Sequence, residues 1–334
     1  MIDYSVIIPA YQAEATLPRC LAALDDQSVA PDRYEIIVVD DGSRDNTAAA
    51  AEKLARSDRS GRPPVRVIRA SHGGPARARN IGAAAAQGRI LLFTDADCEP
   101  APDWLQHMTD AVEADGVSGV KGAYRTHQRS WVARFVQQEY QDKYDRMLPQ
   151  SSIDFVDTYS AAYRREVFEA GGGFDPALSV NEDQELSFRL ASQGKRLIFA
   201  PQALVYHQHV TSAWRYLRRK FLIGYWKARV LQRHPGKAVR DSHTPQAIKL
   251  QIGLLALALV ATLMKLFVPG WYVVALTAWL LFLLSMLPFL AKIAQRDPVI
   301  VVVAPLLIGL RTLGLGLGLL AGVVNFNLRR MVKT

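Results

Sequence analysis

The stretch RILLFTDADCEP (residues 89–100) places two acids one residue apart directly after an apolar run. A short apolar run of this kind is typical of a buried strand. In the turn after such a strand, carboxylates spaced like Asp95 and Asp97 can bind one cation together, and Mg²⁺ or Mn²⁺ prefers oxygen ligands of this type. The alternative is a solvated acidic loop, and an isolated D-x-D sequence does not distinguish the two.

Strand-like and helix-like segments alternate from the N-terminus to this stretch. The strands are predicted at residues 4–11, 34–43, 65–70 and 89–98, and the helices between them at 16–28, 45–57 and 73–88. Such alternation predicts an α/β fold with a doubly wound, mostly parallel sheet. Ligands bind beyond the carboxyl ends of the strands in these sheets. We therefore expect Asp40 and Asp41, at one strand end, to lie close to Asp95 and Asp97.

The charge of the chain is distributed unevenly. The formal net charge is +9, and between Glu185 and Asp241 twelve Lys and Arg residues occur without an acid. A basic band just before apolar segments favours an anionic membrane surface as partner, and we find no nucleic-acid recognition motif. Two cysteines, Cys20 and Cys98, are typical of a reducing compartment. The N-terminal sequence does not resemble a signal peptide, so residues 1–240 are expected in the cytoplasm.

The motif VVDDGSRDNT has a functional and a structural interpretation. Its strand ends on Asp40 and Asp41, and a glycine and a serine follow before the next helix. A carboxylate at this position can accept hydrogen bonds from a base or a ribose. The segment can also be a helix-capping turn, and the two roles can coexist.

Two later motifs are equally open when taken alone. In NEDQEL, Glu182 and Asp183 either supply a catalytic base or only complement the dipole at a helix start. In VYHQHV, His207 has a position that suits contact with a metal or a phosphate. Histidines at strand ends are more often structural, so this motif does not decide between the two roles.

Five segments together resemble the family 2 inverting glycosyltransferases with the GT-A fold. In chain order they are VIIPAYQAEATLPRCLAAL, EIIVVDDGSRDNT, GGPARARNIGAAAAQGRILLFTDADC, YRREVFEAGGGFDPAL and NEDQELSFRL. Each segment is weak alone, but five in this order, over roughly residues 4–209, are highly specific. The resemblance implies a GT-A catalytic domain over residues 1–210, of the type that binds nucleoside-diphosphate sugars.

The resemblance also implies a role for each matching residue. The residues that would bind the nucleotide sugar are Pro9, Ala10, Tyr11, Glu14, Asp40, Asp41, Arg79, Asn80 and Asp95. The residues that would bind Mg²⁺ or Mn²⁺ are Asp97, Asp95 and His207. Asp183, with Glu182 beside it, would deprotonate the acceptor hydroxyl. A single displacement would then invert the configuration at the anomeric carbon of the sugar. Cys98 directly after the second acid of the metal motif departs from the family pattern.

A basic and aromatic segment follows this domain. Residues 211–245 are predicted to form an amphipathic helix and a linker, lying in the membrane interface or, alternatively, covering the catalytic domain. Polymerising synthases of the family usually carry a Gln-x-x-Arg-Trp element in this region. The sequence WRYLRRKF does not match that element, which argues against a polymerising enzyme.

The last part of the chain, residues 246–334, predicts a membrane region. Apolar tracts are long enough to form spanning helices at 250–268 and 271–291. A third tract at 299–324 contains Arg311, whose charge would be costly near the middle of a bilayer. We expect this tract to break near Gly309–Arg311 into a re-entrant or interfacial pair, and a third span is the alternative.

The sequence therefore predicts a multi-pass protein of the cell membrane with a cytoplasmic catalytic domain. Its donor would be a nucleoside-diphosphate sugar, and its acceptor a lipid, a polyprenyl phosphate or a lipid-linked glycan of the cell envelope. One alternative is a haloacid-dehalogenase-type phosphatase, although that motif usually has Thr or Val where Glu99 stands. A second alternative is a membrane adaptor that senses sugar nucleotides without turnover.

Overall fold

The computed structural model describes residues 1–57, 59–239, 241–242 and 244–331. The chain divides into two compact units. The first unit comprises Met1–His127 and Tyr144–Gln208, and the second comprises Gln128–Lys143 and His209–Thr334. The second unit thus includes a segment from within the predicted catalytic domain.

The first unit is built on one mixed sheet of eight strands. The strands are β1 (Tyr4–Ala10), β2 (Tyr34–Asp40), β3 (Val65–Arg69), β4 (Ile90–Phe93), β5 (Cys98–Pro100), β6 (Val117–Arg125), β7 (Ala161–Arg164) and β8 (Arg196–His207). Their order in the sheet is β3-β2-β1-β4-β7-β6-β8-β5. The first four in this order are parallel, as the alternating sequence predicts. Strand β7 joins this part to the rest of the sheet through antiparallel pairing with both β4 and β6.

Helices pack on the sheet of the first unit. They are α1 (Leu17–Asp25), α2 (Thr47–Ala55), α3 (Pro75–Ala85), α4 (Trp104–Glu113), α6 (Arg165–Ala170) and α7 (Glu182–Ser192). Helix α3 approaches β1 so closely that a Cβ atom on Gly82 would lie 2.5 Å from Cγ2 of Ile7. This close approach places α3, which carries Arg79 and Asn80, directly against the parallel strands.

The second unit is helical. Its helices are α5 (Trp131–Met147, whose last turn belongs to the first unit), α8 (Ala213–Arg233), α9 (Gln246–Met264), α10 (Trp271–Leu284), α11 (Leu287–Arg296) and α12 (Ala304–Met331). Among the described residues, three stretches are long and apolar enough to cross a membrane, namely Gln246–Met264, Trp271–Arg296 and Ala304–Leu328. Many of their large apolar side chains are exposed, which is expected of helices that contact lipid.

The predicted break in the third apolar tract is wrong. Helix α12 runs without interruption through Gly309 and Arg311. The prediction assumed a lipid-exposed charge, but Arg311 is buried, with its Nη2 donating to Oε1 of Gln251 at 2.9 Å and its Nη1 3.4 Å from Oε1 of Glu139. Because a buried acid compensates the charge, the helix does not have to break. Residues 332–334, the end of the predicted membrane region, lie outside the described residues.

Candidate active site

The predicted convergence of the acidic strand ends is confirmed. Strand β1 lies between β2 and β4, and all three run parallel. Asp40 ends β2, while Asp95 and Asp97 follow β4, so these acids lie at one edge of the sheet. On β1, Pro9 and Ala10 pair with Val39 and Asp40.

Asp41 is held by the glycine turn that precedes α3. Its two carboxylate oxygens accept hydrogen bonds from the backbone N–H groups of Gly73 and Gly74, at 2.8 and 2.9 Å. Gly74 has φ 88°, a backbone conformation that favours glycine. The ring of His72, 2.9 Å from the Asp41 carboxylate, stacks on Tyr11 with the ring centroids 4.4 Å apart. Tyr11 and His72 therefore form a partly exposed aromatic surface beside a buried acid.

The loop after β1 is tied to the loop after β2. Oε2 of Glu14 accepts a hydrogen bond from the Asn46 N–H at 2.7 Å. Oδ1 of Asp40 accepts one from the Ser43 N–H at 3.2 Å. Both predicted nucleotide-binding acids thus have backbone partners, and they fix the shape of the loops that border the strand ends.

Asp97 and His207 form the candidate metal centre. Cys98 pairs with His207 across β5 and β8, and Oδ2 of Asp97 lies 3.5 Å from Nε2 of His207. The Asp97 side chain is 42% exposed, whereas that of His207 is 2% exposed. A hard divalent cation fits this carboxylate and imidazole pair.

The thiol of Cys98 completes the group of potential ligands at this position. Burial, followed by the charge of Asp97, raises the pKa of this thiol well above its usual value. A neutral thiol is a poor ligand for Mg²⁺ or Mn²⁺, so the acid and the imidazole remain as the suitable donors.

Arg79 joins the metal motif to the start of α7. Its Nη2 donates to Oδ1 of Asp95 at 2.6 Å, and its Nη1 donates to Oε1 of Glu182 at 2.7 Å. The Arg79 side chain is 3% exposed, and its Nε has no hydrogen-bond partner among the described residues. The guanidinium therefore brings together two predicted site acids that lie far apart in the sequence.

Asn80, the next residue on α3, holds the turn after α6. Its Nδ2 donates to the carbonyl oxygen of Phe174 at 2.7 Å, and its Oδ1 accepts from the N–H of the same residue at 3.0 Å. A Cβ atom on Gly173, which has φ 66°, would lie 2.8 Å from Oδ1 of Asn80. Gly173 of the GGGFD segment is therefore needed for this contact.

Asp183 is the less buried member of its pair. Glu182 is buried, whereas Asp183, the second residue of α7, is only partly buried. Desolvation, followed by the charges of Glu182 and Asp157, raises the pKa of Asp183 to about 8. A carboxylate with a pKa near neutral pH can accept a proton during a reaction.

Sequence reasoning missed the buried pair Lys121 and Asp157. Nζ of Lys121 donates to Oδ1 of Asp157 at 2.6 Å and to the Tyr124 hydroxyl at 3.0 Å, and Lys121 is 0% exposed. Tyr159, two residues after Asp157, stacks on His207 with the ring centroids 4.4 Å apart. The signal in the sequence was a lysine in the middle of the otherwise uncharged stretch VSGVKGAY.

Comparison with known proteins decides the family. The model of glycosyl transferase family 2 matches residues 5–172, and that of glycosyl transferase family group 2 matches residues 90–309. The chain belongs to glycosyl transferase family 2. The resemblance found in the sequence is thereby confirmed, and the transferase is favoured over the phosphatase alternative.

Relatives with known names match well over half of the chain. The pre-mycofactocin glycosyltransferase of Mycobacterium tuberculosis is 30% identical over 248 residues, which are 70% of this chain and 49% of the relative. The glycosyltransferase AglE of Haloferax volcanii is 30% identical over 208 residues, which are 61% of this chain and 66% of that protein. The chain thus spans about half the length of one relative and nearly two thirds of the length of the other.

Solved structures confirm the fold. The mannosyltransferase PcManGT from Pyrobaculum calidifontis, in complex with GDP-Man and Mn²⁺, has a TM-score of 0.58 at 21% identity, covering 96% of this chain and 86% of that one. GalNAc-T7 with UDP, GalNAc and Mn²⁺ has a TM-score of 0.52 at 20% identity, covering 70% of this chain and 48% of that one. The chain therefore has the predicted GT-A fold, followed in the described residues by three apolar helical stretches.

Proposed function

We propose that this family 2 glycosyltransferase is attached to the membrane and transfers a sugar, with inversion, from a nucleoside-diphosphate sugar. The acceptor is a lipid, a polyprenyl phosphate or a lipid-linked glycan at the cytoplasmic face of the cell membrane. The observation that carries the proposal is the link through Arg79, because it joins the acids after β4 to the acids that begin α7. A candidate leaving-group site and a candidate base are thereby held in one rigid arrangement.

The residues at the ends of the parallel strands support the proposal that a nucleoside-diphosphate sugar binds there. Tyr11 and His72 offer a stacking surface beside Asp41, which suits a nucleobase. Asp97 and His207 would hold Mg²⁺ or Mn²⁺, and the bound ion would neutralise charge on the leaving diphosphate. The proposal agrees with the nucleotide sugar and Mn²⁺ that accompany the mannosyltransferase of the same fold.

The acceptor end is supported by the properties of Asp183. Its carboxylate is partly exposed, and its pKa of about 8 allows it to take the proton of the acceptor hydroxyl as that oxygen attacks the anomeric carbon. The bond from that carbon to the diphosphate oxygen breaks in the same step. Attack from the side opposite the leaving group inverts the configuration.

The membrane attachment is supported by the apolar helices of the second unit. An active site carried by a membrane-attached chain favours an acceptor that is itself in the membrane. The domain boundaries that follow from the proposal are a catalytic domain at 1–210, an interfacial segment at 211–245 and a membrane region at 246–334.

The test is transfer by the full chain in lipid vesicles. GDP- and UDP-sugars would be supplied with Mn²⁺ and a lipid-linked glycan that offers a free hydroxyl, and the anomeric configuration of the product would be determined by NMR. We expect transfer with inversion that falls by a factor of ~10² to 10⁴ in Asp183→Asn. Near-complete activity of a folded Asp183→Asn variant, or a product with retained configuration, would contradict the proposal.

A further inference from the structure

Helices α8 and α12 are in backbone contact over most of their length. A Cβ atom on Gly318 would lie 2.0 Å from the carbonyl oxygen of Phe221, and one on Gly322 would lie 2.3 Å from that of Tyr225. One turn earlier on α12, a Cβ atom on Gly314 would lie 3.0 Å from the carbonyl oxygen of Leu217. Positions increase together on the two helices, so they run parallel. Glycines spaced by four residues permit this close contact, and α8 must lie wherever α12 lies.

Helix α8 is too basic to cross a bilayer. Its cationic residues are Arg215, Arg218, Arg219, Lys220, Lys227, Arg229 and Arg233, and it contains no acid. Each cation at the centre of a bilayer costs at least ~2.5 kcal/mol on biological insertion scales. Nζ of Lys220 lies 2.9 Å from Oε2 of the buried Glu139 on α5, and Nζ of Lys227 lies 3.5 Å from Oδ2 of the buried Asp241. If α12 crossed the membrane, its parallel partner would have to bring these charges across with it.

Helix α12 meets the apolar hairpin of α9 and α10 near one end of that hairpin. Arg311 bonds to Gln251, in the second turn of α9, and a Cβ atom on Gly316 would lie 3.3 Å from Ile252. Nε2 of Gln251 donates to the carbonyl oxygen of Ser285, which directly follows α10. The contacts are therefore at the start of α9 and the end of α10.

Ion pairs mark the same end of the hairpin as polar. Nζ of Lys292, on α11, lies 2.5 Å from Oδ1 of Asp142 on α5. Asp297, directly after α11, accepts hydrogen bonds from the guanidinium of Arg134. Charged side chains are favoured at headgroup depth and disfavoured in the hydrocarbon, so this end belongs at a membrane surface.

The exposed surfaces of the two helices are those of an interfacial layer. Helix α12 exposes a stripe of large apolar side chains, namely Leu306, Leu317, Leu320, Val324 and Leu328. Helix α8 exposes Trp214, at 70%, among its arginines. Apolar and aromatic side chains that accompany a basic face suit the boundary between acyl chains and anionic headgroups.

We propose that α8 and α12 lie together in the membrane interface, bound to anionic phospholipid headgroups, and that the chain crosses the membrane twice. The crossings are α9 and the α10–α11 segment. This inference rests on the membrane attachment in the proposed function, but it does not depend on the sugar, the metal or the base. It places the end of α12 on the same side of the membrane as the first unit.

Labelling of single introduced cysteines tests the number of crossings. Arg56→Cys, Phe267→Cys and Leu328→Cys report on the first unit, the turn between α9 and α10, and the end of α12, and all three positions are exposed. An impermeant thiol reagent is applied to sealed vesicles of known orientation. The native Cys20 and Cys98 are buried, and the unsubstituted chain measures their background. We expect positions 56 and 328 to react from the same side and position 267 from the other. Reaction of position 328 together with 267 would overturn the proposal.

Depth measurement tests the interfacial position of α12. Fluorophores on cysteines at Leu306, Leu317 and Leu328 lie roughly 16 Å apart along the helix axis. Quenchers placed at different bilayer depths should report one shallow depth for all three, whereas a spanning helix would place Leu317 deepest. Cysteines at Val273, Leu280 and Leu287 are the matched controls, because depth must change along α10 and α11. Equal depth on α12 with varying depth in the controls supports the proposal, and a deep Leu317 rejects it.

The lipid preference is tested with the same fluorophores. Vesicles of phosphatidylcholine alone are compared with vesicles that also contain phosphatidylglycerol, using the full chain and its Arg215→Gln/Arg218→Gln variant. We expect a fluorophore at Trp214→Cys to be more strongly shielded from aqueous quencher in the anionic vesicles, and the arginine substitutions to remove this difference. Equal shielding in both kinds of vesicle would contradict the proposed binding to anionic headgroups. Transfer activity is measured separately, so failure of the proposed function would not be mistaken for failure of the topology.

Discussion

Asp95 and Glu182 are joined through a single guanidinium group, that of Arg79, which donates to both carboxylates within 2.7 Å. Asp95 follows strand β4 and Glu182 begins helix α7. Asp97, two residues after Asp95, and Asp183, directly after Glu182, are the more exposed members of the two pairs. Arg79 thus fixes the spacing between the residue proposed to hold the metal and the residue proposed to act as base.

We expect Arg79→Lys to lower kcat by a factor of ~10 to 100, because a lysine keeps the charge but cannot hold both acids in the planar geometry of a guanidinium. The KM for the donor should change much less. Steady-state kinetics measure both constants. The matched control is Arg77→Lys on the same helix, where Nη1 of Arg77 donates to the carbonyl oxygen and the hydroxyl oxygen of Ser71. If both variants lost activity equally, or if only KM changed in Arg79→Lys, Arg79 would not be a positioning residue.

The pKa of Asp183 predicts the pH dependence of transfer. The base must be deprotonated, so kcat/KM should rise with pH and level off above about 8, the pKa of this carboxyl. The residual activity of Asp183→Asn should not show this rise of kcat/KM with pH. The exposed acid Glu166 provides the control, because Glu166→Gln should leave the profile unchanged. A rate that is flat from pH 6 to 9 would exclude Asp183 as the base.

The same shift has a consequence for stability. The folded state keeps the Asp183 proton up to about pH 8, whereas the unfolded chain loses it near 3.8. Between these values the folded state binds more protons, so this group lowers the free energy of unfolding as pH rises. Asp183→Asn removes this pH-dependent decrease in the free energy of unfolding. We expect the variant to melt a few degrees above the parent at pH 8 and at the same temperature near pH 3.5.

Local pattern and chain direction were enough to predict the parallel strands and the convergence of Asp40 with Asp95, because parallel strands end at one edge of a sheet. They did not predict the partners of Arg79. The resemblance implied only that Arg79 lies near the diphosphate. Its two acids come from distant segments, and no local rule pairs them. The break expected at Arg311 failed for the same reason, since its acid, Glu139, belongs to another helix.

The candidate metal centre predicts a selective loss of metal affinity. We expect chelation to abolish transfer, and Asp97→Asn to raise the Mn²⁺ concentration needed for half-maximal activity by a factor of ~10 or more. Cys98→Ala is the matched control, because a neutral buried thiol is not expected to bind this ion. Metal titration of the three proteins at saturating donor measures the effect. A larger shift for Cys98→Ala than for Asp97→Asn would contradict the assignment of Asp97 and His207.

The buried pair Lys121 and Asp157 predicts strong coupling between two substitutions. Burial raises the pKa of Asp157 to about 6 even beside the lysine. Lys121→Met therefore leaves a buried acid without its partner, which should lower the free energy of unfolding by roughly 3–5 kcal/mol. Adding Asp157→Asn removes the remaining charge, and the double variant should recover much of this loss.

Unfolding of the detergent-solubilised chain, followed through the first unit, measures this cycle. The comparison pair is Glu52 and Arg69, whose side chains are 26% and 61% exposed, and breaking it should leave the free energy of unfolding almost unchanged. Additive losses at Lys121 and Asp157 would mean that the two groups do not stabilise each other. If the two substitutions are strongly coupled but transfer is almost unchanged, the pair has a structural role. If they are strongly coupled and kcat falls, the active site extends to Lys121 on β6.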